Sequence, residues 1–169
     1  MLKFIQLINT IISKLLIVLM GAIVIDVTWQ VLTRFILKSP SSFTEELAGF
    51  LLIWIGLLGA SHALYTKSHL GIDILTYKLQ GKRKQVVDVV VYSLVLLFAL
   101  FVMVVGGMKL VDLTLTLNQI SPAMGIPMGY VYTVLPLSGL LMMLYSIGFI
   151  IQALREESEV TEYQISSLD

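Results

Sequence analysis

The sequence has no cysteine and is poor in charged residues. The absence of cysteine excludes disulfide frameworks and every zinc, iron–sulfur or thiol site that depends on that residue. Charged residues make up 13% of the chain, which is about half of their share in an ordinary soluble domain. Basic and acidic residues balance at 11 each, so there is no basic surplus for binding nucleic acid.

Apolar residues are in excess instead. They make up 57% of the 169 residues, and the mean hydropathy is +0.93. These values predict an integral membrane protein and argue against a soluble enzyme. We therefore expect no enzymatic activity, no cofactor and no metal site.

Charged residues divide the chain into four segments long enough to cross a bilayer, which takes about 20 mostly apolar residues. The last uncharged run, Leu113–Leu154, would be roughly 63 Å long as one helix, about twice the hydrocarbon thickness. Breaks at Asn118–Pro122 and Gly125–Pro127 shorten it, and Pro136 is expected to kink the remaining helix. The prediction is an all-α membrane protein with a single four-helix transmembrane domain over residues 1–155 and spans at about 14–37, 44–66, 86–109 and 128–154.

Four spans place both termini on one side of the membrane, and basic residues indicate which side it is. The N-terminal segment, the middle loop and the C-terminal tail hold eight lysines and arginines, whereas the two opposite loops hold three. We therefore expect both termini in the cytoplasm. The acidic residues 156–169 are expected to form a flexible cytoplasmic tail.

The first residues carry apolar side chains at helical spacing, among them Ile5, Ile8 and Ile12, with polar side chains opposite. This pattern is typical of a short amphipathic helix at the membrane interface. It is equally typical of a first membrane helix that starts early. The sequence leaves both interpretations open.

Asp26 is the only acid well inside a span, and Gln30 and Arg34 follow it at four-residue intervals on the same helix face. Carboxylates within a membrane are costly and often functional. One interpretation is a site that carries a proton or a cation. The other is a polar seam facing a partner helix, which is favoured because the other spans offer almost no polar groups at matching depth.

The second predicted span opens with Ser42 followed by Glu45, which is the spacing of an N-terminal capping box. Glu45 and Glu46 also suit the positive end of the helix dipole. Arg34, at the end of the preceding span, is expected on the same side of the membrane. We therefore predict that Arg34 pairs with one of the two glutamates and fixes the first hairpin.

Within the second span, Gly56 and Ala60 have the small-x-x-x-small spacing that permits close helix packing. Trp54 lies in the middle of this span, where it either packs against another protein or faces lipid.

The two histidines, His62 and His69, lie on one predicted helix or at its end, so they do not have the facing arrangement that haem ligation in a bundle requires. His62 is expected to make an interhelical hydrogen bond. His69 is expected at the cytoplasmic interface near Asp73.

Several segments of the chain, taken in their order along the sequence, resemble those of a known family. This family is the small membrane subunit (DctQ type) of tripartite ATP-independent periplasmic (TRAP) transporters. The resemblance covers roughly residues 15–154, and its most specific part runs from Arg34 to Asp73. The segments that carry it are Thr33–Phe35, Ser39–Ala48, Leu51–Trp54, Gly56, Gly59–Ala60, Lys67–Asp73, Ser121–Pro127, Tyr130 and Leu135–Leu137.

The resemblance implies a non-catalytic subunit of a transporter in the bacterial inner membrane. Its implied partners are a large multi-span membrane subunit, which carries the substrate and sodium sites, and a periplasmic solute-binding protein that delivers an anionic carboxylate. Overall resemblance favours sialic acid over a dicarboxylate, although no individual residue does. Membrane lipids are the other expected partner.

On this basis, two sets of residues are candidates for contacts. The candidate subunit-contact or structural residues are Asp26, Gln30, Arg34, Glu45, Glu46, Trp54, Gly56, Ala60, His69 and Asp73. The candidate periplasmic docking positions are Lys38, Ser42, Pro122 and Pro127.

An alternative function is an autonomous small antiporter, in which Asp26 exchanges protons for a cationic drug. The amphipathic start, the 20-residue middle loop and the acidic tail fit that alternative poorly. A membrane assembly factor for another complex would share every feature except the family motifs.

Overall fold

The computed structural model describes residues 2–36, 38, 41–66 and 82–166, and the side chains of residues 5–36, 38, 41–66 and 84–154. Over these ranges the chain is nearly all helical, and four stretches are long and apolar enough to cross a membrane, as predicted. These stretches are Ile5–Phe35, Ser42–Tyr65, Lys84–Thr116 and Met128–Leu154. The elements are α1 (Leu2–Phe35), α2 (Ser42–Tyr65), α3 (Lys82–Phe98), a π-helical segment (Ala99–Gly106), α4 (Gly107–Thr116), α5 (Met128–Tyr132) and α6 (Val134–Ser166).

The first helix, α1, is continuous from Leu2 to Phe35. Its 34 residues give a length of about 51 Å, well above the hydrocarbon thickness. Ile5 and Ile12 are buried in the protein core, and Ile8 packs against that core. The structure therefore has the arrangement in which the first helix starts early, with its initial apolar face against the bundle. Placement of these turns at the membrane interface stays a prediction.

The third span is longer than the apolar run that predicted it. The helix continues from α3 through the π-helical segment and α4 to Thr116. Lys109 and Asp112 lie exposed on its surface. These charges end the apolar run but not the helix, because an exposed charged side chain leaves the backbone hydrogen bonds intact.

The predicted break between the third and fourth spans is formed by a Schellman motif. Asn118 takes the left-handed conformation with φ of 48°. The amide of Asn118 donates to Leu115 O, and that of Gln119 donates to Thr114 O, each at 3.0 Å. The next helix begins at Met128.

The fourth span is interrupted at Thr133, which separates α5 from α6. Pro136 explains the interruption, because proline has no N–H and its ring clashes with the carbonyl four residues earlier, that of Tyr132. The amide of Leu137 donates to Thr133 O at 3.3 Å and restores the helix. The backbone of α6 then continues to Ser166, so it includes much of the predicted tail. Neither glycine nor proline follows Gly148 to end it.

A close helix contact joins the π-helical segment to α6. A Cβ built on Gly139 would lie 2.8 Å from Met103 Cβ, 3.0 Å from Val104 Cγ2 and 3.2 Å from Ala99 O. Only glycine fits this position without displacing a neighbour. The helices can therefore approach closely here, as small residues allow in membrane bundles.

The second span runs parallel to the fourth span in a fixed register. Three hydrogen bonds connect α2 either to the fourth span or to the loop that precedes it. In each of them the two residues are 77 positions apart in the sequence. The pairs are Glu46 with Ala123, Trp54 with Val131 and Ser61 with Ser138. From the first pair to the last, this register extends over about 22 Å of helix.

The core lies around α6, which packs against α2, α3 and the π-helical segment. The side chains of Leu58, Ala99, Val134 and Tyr145 are almost completely buried there. Large apolar side chains cover much of the outer surface, including Ile25, which is 73% exposed. Such a surface suits contact with lipid or with another membrane protein.

Candidate functional site

The helix α2 begins at an N-cap one residue earlier than predicted. Ser41 has an extended backbone, and its Oγ accepts a hydrogen bond from Thr44 N at 3.5 Å. The hydroxyl of Thr44 donates to Ser41 O at 3.0 Å. The predicted capping box of Ser42 and Glu45 is therefore wrong, because Ser41 is the N-cap and the residue three positions later is Thr44, which donates to the Ser41 carbonyl instead of accepting from a backbone N–H. Both glutamates are left for other contacts.

Glu46 reaches from the start of α2 to the loop 117–127, which joins the third and fourth spans. Its Oε2 accepts hydrogen bonds from Ala123 N at 2.9 Å and Met124 N at 3.0 Å. Hydrogen bonds to a carboxylate are shorter and stronger than those between neutral groups. We call this set of three residues the Glu46 clasp. It ties the first hairpin to the second at one end of the bundle.

The loop has a defined shape that presents the two amides of the clasp. Ser121 N donates to Ile126 O and Gly125 N donates to Ser121 O, each at 2.9 Å. Met124 N also lies 3.1 Å from Ser121 Oγ. Gly125 has φ of 67°, a conformation that favours glycine. The acceptor is therefore the long, flexible side chain of Glu46, and the donors are held in place by the loop.

An open cleft of about 380 Å³ lies beside the clasp. It is lined by Ser42, Glu45, Glu46, Pro122 and Ala123. Glu45 is exposed, and its carboxylate makes no hydrogen bond or ion pair with the residues that the structure describes. A cleft with an uncompensated carboxylate suits a basic side chain from another protein better than an anionic solute.

The predicted ion pair between Arg34 and Glu45 or Glu46 is not formed within the described ranges. Arg34 is exposed in the last turn of α1, and Glu46 instead accepts two backbone hydrogen bonds from the loop. The physical reason is entropic, since an exposed ion pair must order two long side chains for a small gain. The loop amides are already fixed, so only the glutamate has to be ordered.

The structure brings together two of the four predicted docking positions, Ser42 and Pro122, which line the cleft. Lys38 is exposed in the connection between α1 and α2 and has φ of 53°. Pro127 is half-buried and pairs with Ile120 in an isolated antiparallel bridge, so it shapes the loop. A docking role for these positions stays a prediction.

Asp26 forms a second candidate site, inside the bundle. It is only 8% exposed, whereas Gln30 is half-buried and Arg34 is exposed. The Oδ2 atom of Asp26 is buried without a hydrogen-bond partner among the described residues. Of the three polar residues on this helix face, Asp26 is buried, which supports a polar seam that faces neighbouring helices. A buried carboxylate oxygen without a partner is nevertheless costly in a membrane protein.

Trp54 and His62 hold α2 to other helices. His62 Nδ1 lies 2.9 Å from Asn9 Oδ1 on α1, which confirms the expected interhelical hydrogen bond. Trp54 Nε1 donates to Val131 O at 3.1 Å, near the interruption of the fourth span. Neither interpretation of Trp54 included this bond, which gives the residue a structural role within the chain.

Replacing Trp54 with phenylalanine is expected to lower the free energy of unfolding by about 1 kcal/mol, because the ring stays but the bond to Val131 O is lost. Thermal unfolding in detergent measures the change. Trp29→Phe is the control, since Trp29 is 55% exposed and has no such bond within the described chain. Equal melting temperatures for the two variants would contradict a stabilising role of the Trp54 hydrogen bond.

Gly56 makes no close contact with another helix in the described part of the chain. Gly56 is exposed, and no atom of the described residues comes within 4 Å of a Cβ built on it. Ala60 packs at the edge of the core. Close approaches occur instead at Gly107, Gly129 and Gly139. Two further predicted residues, His69 and Asp73, lie outside the described residues.

Sequence reasoning missed the donors of the clasp. The donors are the backbone amides of Ala123 and Met124, and every residue except proline has such an amide, so the residue types do not mark them. The available signal was the turn composition of the loop, in which Pro122 and Gly125 indicate a tight bend that exposes amides.

Comparison with known proteins identifies the family. Residues 23–156 match the family described as tripartite ATP-independent periplasmic transporters, DctQ component. A stretch of 79 residues, 47% of this chain, is 35% identical to the sialic acid TRAP transporter small permease protein SiaQ of Vibrio cholerae and covers 46% of that protein. A TRAP transporter small permease protein of Haemophilus influenzae is 27% identical over 134 residues, which are 79% of this chain and 81% of that protein.

A third relative is much longer than this chain. The isethionate TRAP transporter permease protein DctMQ of Oleidesulfovibrio alaskensis is 32% identical over 125 residues, which are 70% of this chain but only 20% of that protein. This chain thus spans about half the length of SiaQ and a fifth of DctMQ. All three relatives are permease proteins and not enzymes. With four apolar helices and a family match over most of its length, the chain is a multi-pass inner-membrane protein that belongs to the DctQ component family of TRAP transporters.

Proposed function

We propose that this chain is the small, non-catalytic membrane subunit of a TRAP transporter that uses an ion gradient to import an anionic carboxylate such as sialic acid. It scaffolds a large multi-span membrane subunit. Both termini lie in the cytoplasm, and the cleft beside the Glu46 clasp faces the periplasm. There it helps a solute-binding protein to dock.

The observation that carries the proposal is the length of DctMQ. A segment similar to this chain makes up 20% of that permease, so most of the polypeptide consists of other parts. Parts that one relative joins in a single polypeptide are expected to bind each other when they are separate chains. This supports a larger membrane polypeptide as the partner. The solutes in the relatives' names, sialic acid and isethionate, are both organic anions, which supports an anionic solute.

The charge distribution supports the proposed orientation. The start of α2 and the loop 117–127 lie at the end of the bundle where the connections and adjoining helix ends hold three basic residues, against eight at the other end. The positive-inside rule assigns the poorer side to the periplasm. The cleft between these two segments would then face an arriving solute-binding protein.

Co-purification and reconstitution test the proposal. The chain is co-expressed with its candidate large subunit, extracted in mild detergent and placed in liposomes with the solute-binding protein. We expect a partner with many membrane spans to co-purify, and sialic acid uptake to require both membrane subunits. Full uptake by the large subunit alone would contradict the scaffold role.

The antiporter alternative is kept because the Oδ2 atom of Asp26 is buried without a partner in the described part of the chain. Asp26→Asn separates the two functions, since asparagine keeps the size of the side chain and removes its ionisable group. If the chain is a transporter subunit, we expect the Asp26→Asn complex to assemble. We expect its uptake to stay within about twofold of wild type, which is well below the tenfold change that corresponds to 1.4 kcal/mol. Asp112→Asn, at an exposed acid, is the control. Complete loss of transport in an intact complex would favour the antiporter.

A further inference from the structure

One face of α2 points away from the other described helices. Its members follow each other at alternating spacings of four and three residues, which is the pattern of a helix–helix contact seam. They are Glu45, Gly49, Leu52, Gly56 and Gly59. No described atom lies within 4 Å of a Cβ built on any of the three glycines, and Leu52 is 63% exposed. We call these five residues the outward face of α2.

Among the described residues, nothing packs closely against the three glycines of the outward face. Each glycine in a helix interior is unfavourable by up to about 1 kcal/mol relative to alanine. Gly139 has a visible reason, because α6 meets the π-helical segment there. On the outward face the same residue type leaves an open, shallow groove, which allows another backbone to approach closely. Lipid alone would be contacted equally well by larger apolar side chains.

The outward face ends in a charge. Glu45 belongs both to this face and to the lining of the cleft, and its carboxylate is unpaired among the described residues. The other four residues of the outward face, Gly49, Leu52, Gly56 and Gly59, are uncharged. The complementary surface is therefore apolar along its length and basic at one end.

We infer that a transmembrane helix of the large membrane subunit packs along the outward face of α2, with a lysine or arginine near its end in the cleft beside Glu45. The inference rests on the proposed function, which supplies the membrane partner. The face from Glu45 to Gly59 extends over about 21 Å, most of the hydrocarbon thickness of about 30 Å. An occupant of this length is a spanning helix rather than a loop.

Gly56→Leu tests the inference, and Gly21→Leu is a matched control. Both glycines are exposed in helices and have no described atom within 4 Å of a built Cβ, so neither leucine disturbs the chain's own packing. In the co-expressed complex we expect Gly56→Leu to weaken association about tenfold, equivalent to about 1.4 kcal/mol. Gly21→Leu is expected to leave association unchanged. The inference would be overturned if the two variants bound the large subunit equally well, whether both kept the wild-type affinity or both lost affinity.

Photo-crosslinking identifies the occupant. A benzophenone amino acid replaces Leu52 or, as a control of similar exposure, Val18, which is 67% exposed on α1. An adduct between position 52 and the large subunit supports the inference, and so does loss of that adduct in Glu45→Lys. An adduct with a second copy of this chain, or with lipid alone, would overturn it. Failure of the wild-type chain to co-purify with any large subunit would instead contradict the proposed function.

Discussion

Gly139→Val is expected to prevent α6 from packing on the π-helical segment and to destabilise the whole chain. The first added carbon would lie 2.8 Å from Met103 Cβ and 3.2 Å from Ala99 O. The carbonyl of Ala99 belongs to the backbone and cannot move without shifting its helix. Overpacking costs about 1–3 kcal/mol and more when the backbone must adjust, so we expect a loss of at least about 3 kcal/mol. Thermal unfolding of the purified chain in detergent is the measurement.

Gly21→Val is the control for this substitution, because it makes the same chemical change at a helical glycine with open space around it. Its melting temperature is expected to stay close to that of the unmodified chain. If Gly139→Val unfolded at the same temperature as Gly21→Val, the close contact between α6 and the π-helical segment would have no energetic importance.

Glu46→Ala is expected to release the loop 117–127 from α2. Ala123 N and Met124 N would both lose their charged acceptor. Hydrogen bonds to charged groups contribute about 1.5–3 kcal/mol, and water at this open site offsets part of the loss, so we expect about 2 kcal/mol. Hydrogen exchange at Ala123 is expected to accelerate about tenfold or more. Met124 is expected to change less, because its amide also lies 3.1 Å from Ser121 Oγ.

Glu45→Ala provides the comparison for the clasp. It removes a neighbouring carboxylate that makes no hydrogen bond with the described residues, so loop exchange is expected to stay unchanged. The melting temperature is expected to fall only slightly, because the substitution removes a helix-dipole contribution of about 0.3–1 kcal/mol. Glu46→Gln is expected to fall between the two, because its amide oxygen still accepts but carries no charge. Unchanged exchange at Ala123 in Glu46→Ala would show that the loop holds its shape without the clasp.

The number of helices that are long and apolar enough to cross a membrane could be predicted, because bilayer thickness sets the length of a span. The last of these apolar helical stretches begins at Met128, directly after the predicted break at Gly125–Pro127. The end of the third helix could not be predicted from the same signal. Lys109 and Asp112 interrupt the apolar sequence, whereas the helix ends only where Asn118 takes the left-handed conformation. Hydropathy indicates the environment of the side chains, whereas the end of a helix depends on the backbone conformation. The apolar run therefore does not show where the third helix ends.

The candidate site could be predicted only in part. Glu46 and Pro122 are among the predicted residues. The sequence predicts a pairing of Arg34 with Glu45 or Glu46, because charged side chains are visible in a sequence and backbone amides are not. The spacing predicts that Gly56 is a packing residue, but it does not reveal that none of the described helices covers Gly56. Gly139 has no such spacing, and only the approach of another helix shows its importance.

The constant offset of 77 residues between the second and fourth spans also sets an order of events during synthesis. At a synthesis rate of about 5–20 residues per second, each group on α2 precedes its partner by roughly 4–15 s. The Glu46 carboxylate and the Trp54 indole are without these partners for the same interval, whereas the Ser61 hydroxyl also donates to Leu57 O within α2. During that time the first hairpin depends on its own contacts, such as the one between Asn9 and His62. Arrival of the fourth span then supplies the donors for Glu46, the acceptor for Trp54 and a second acceptor for Ser61 in one step of assembly.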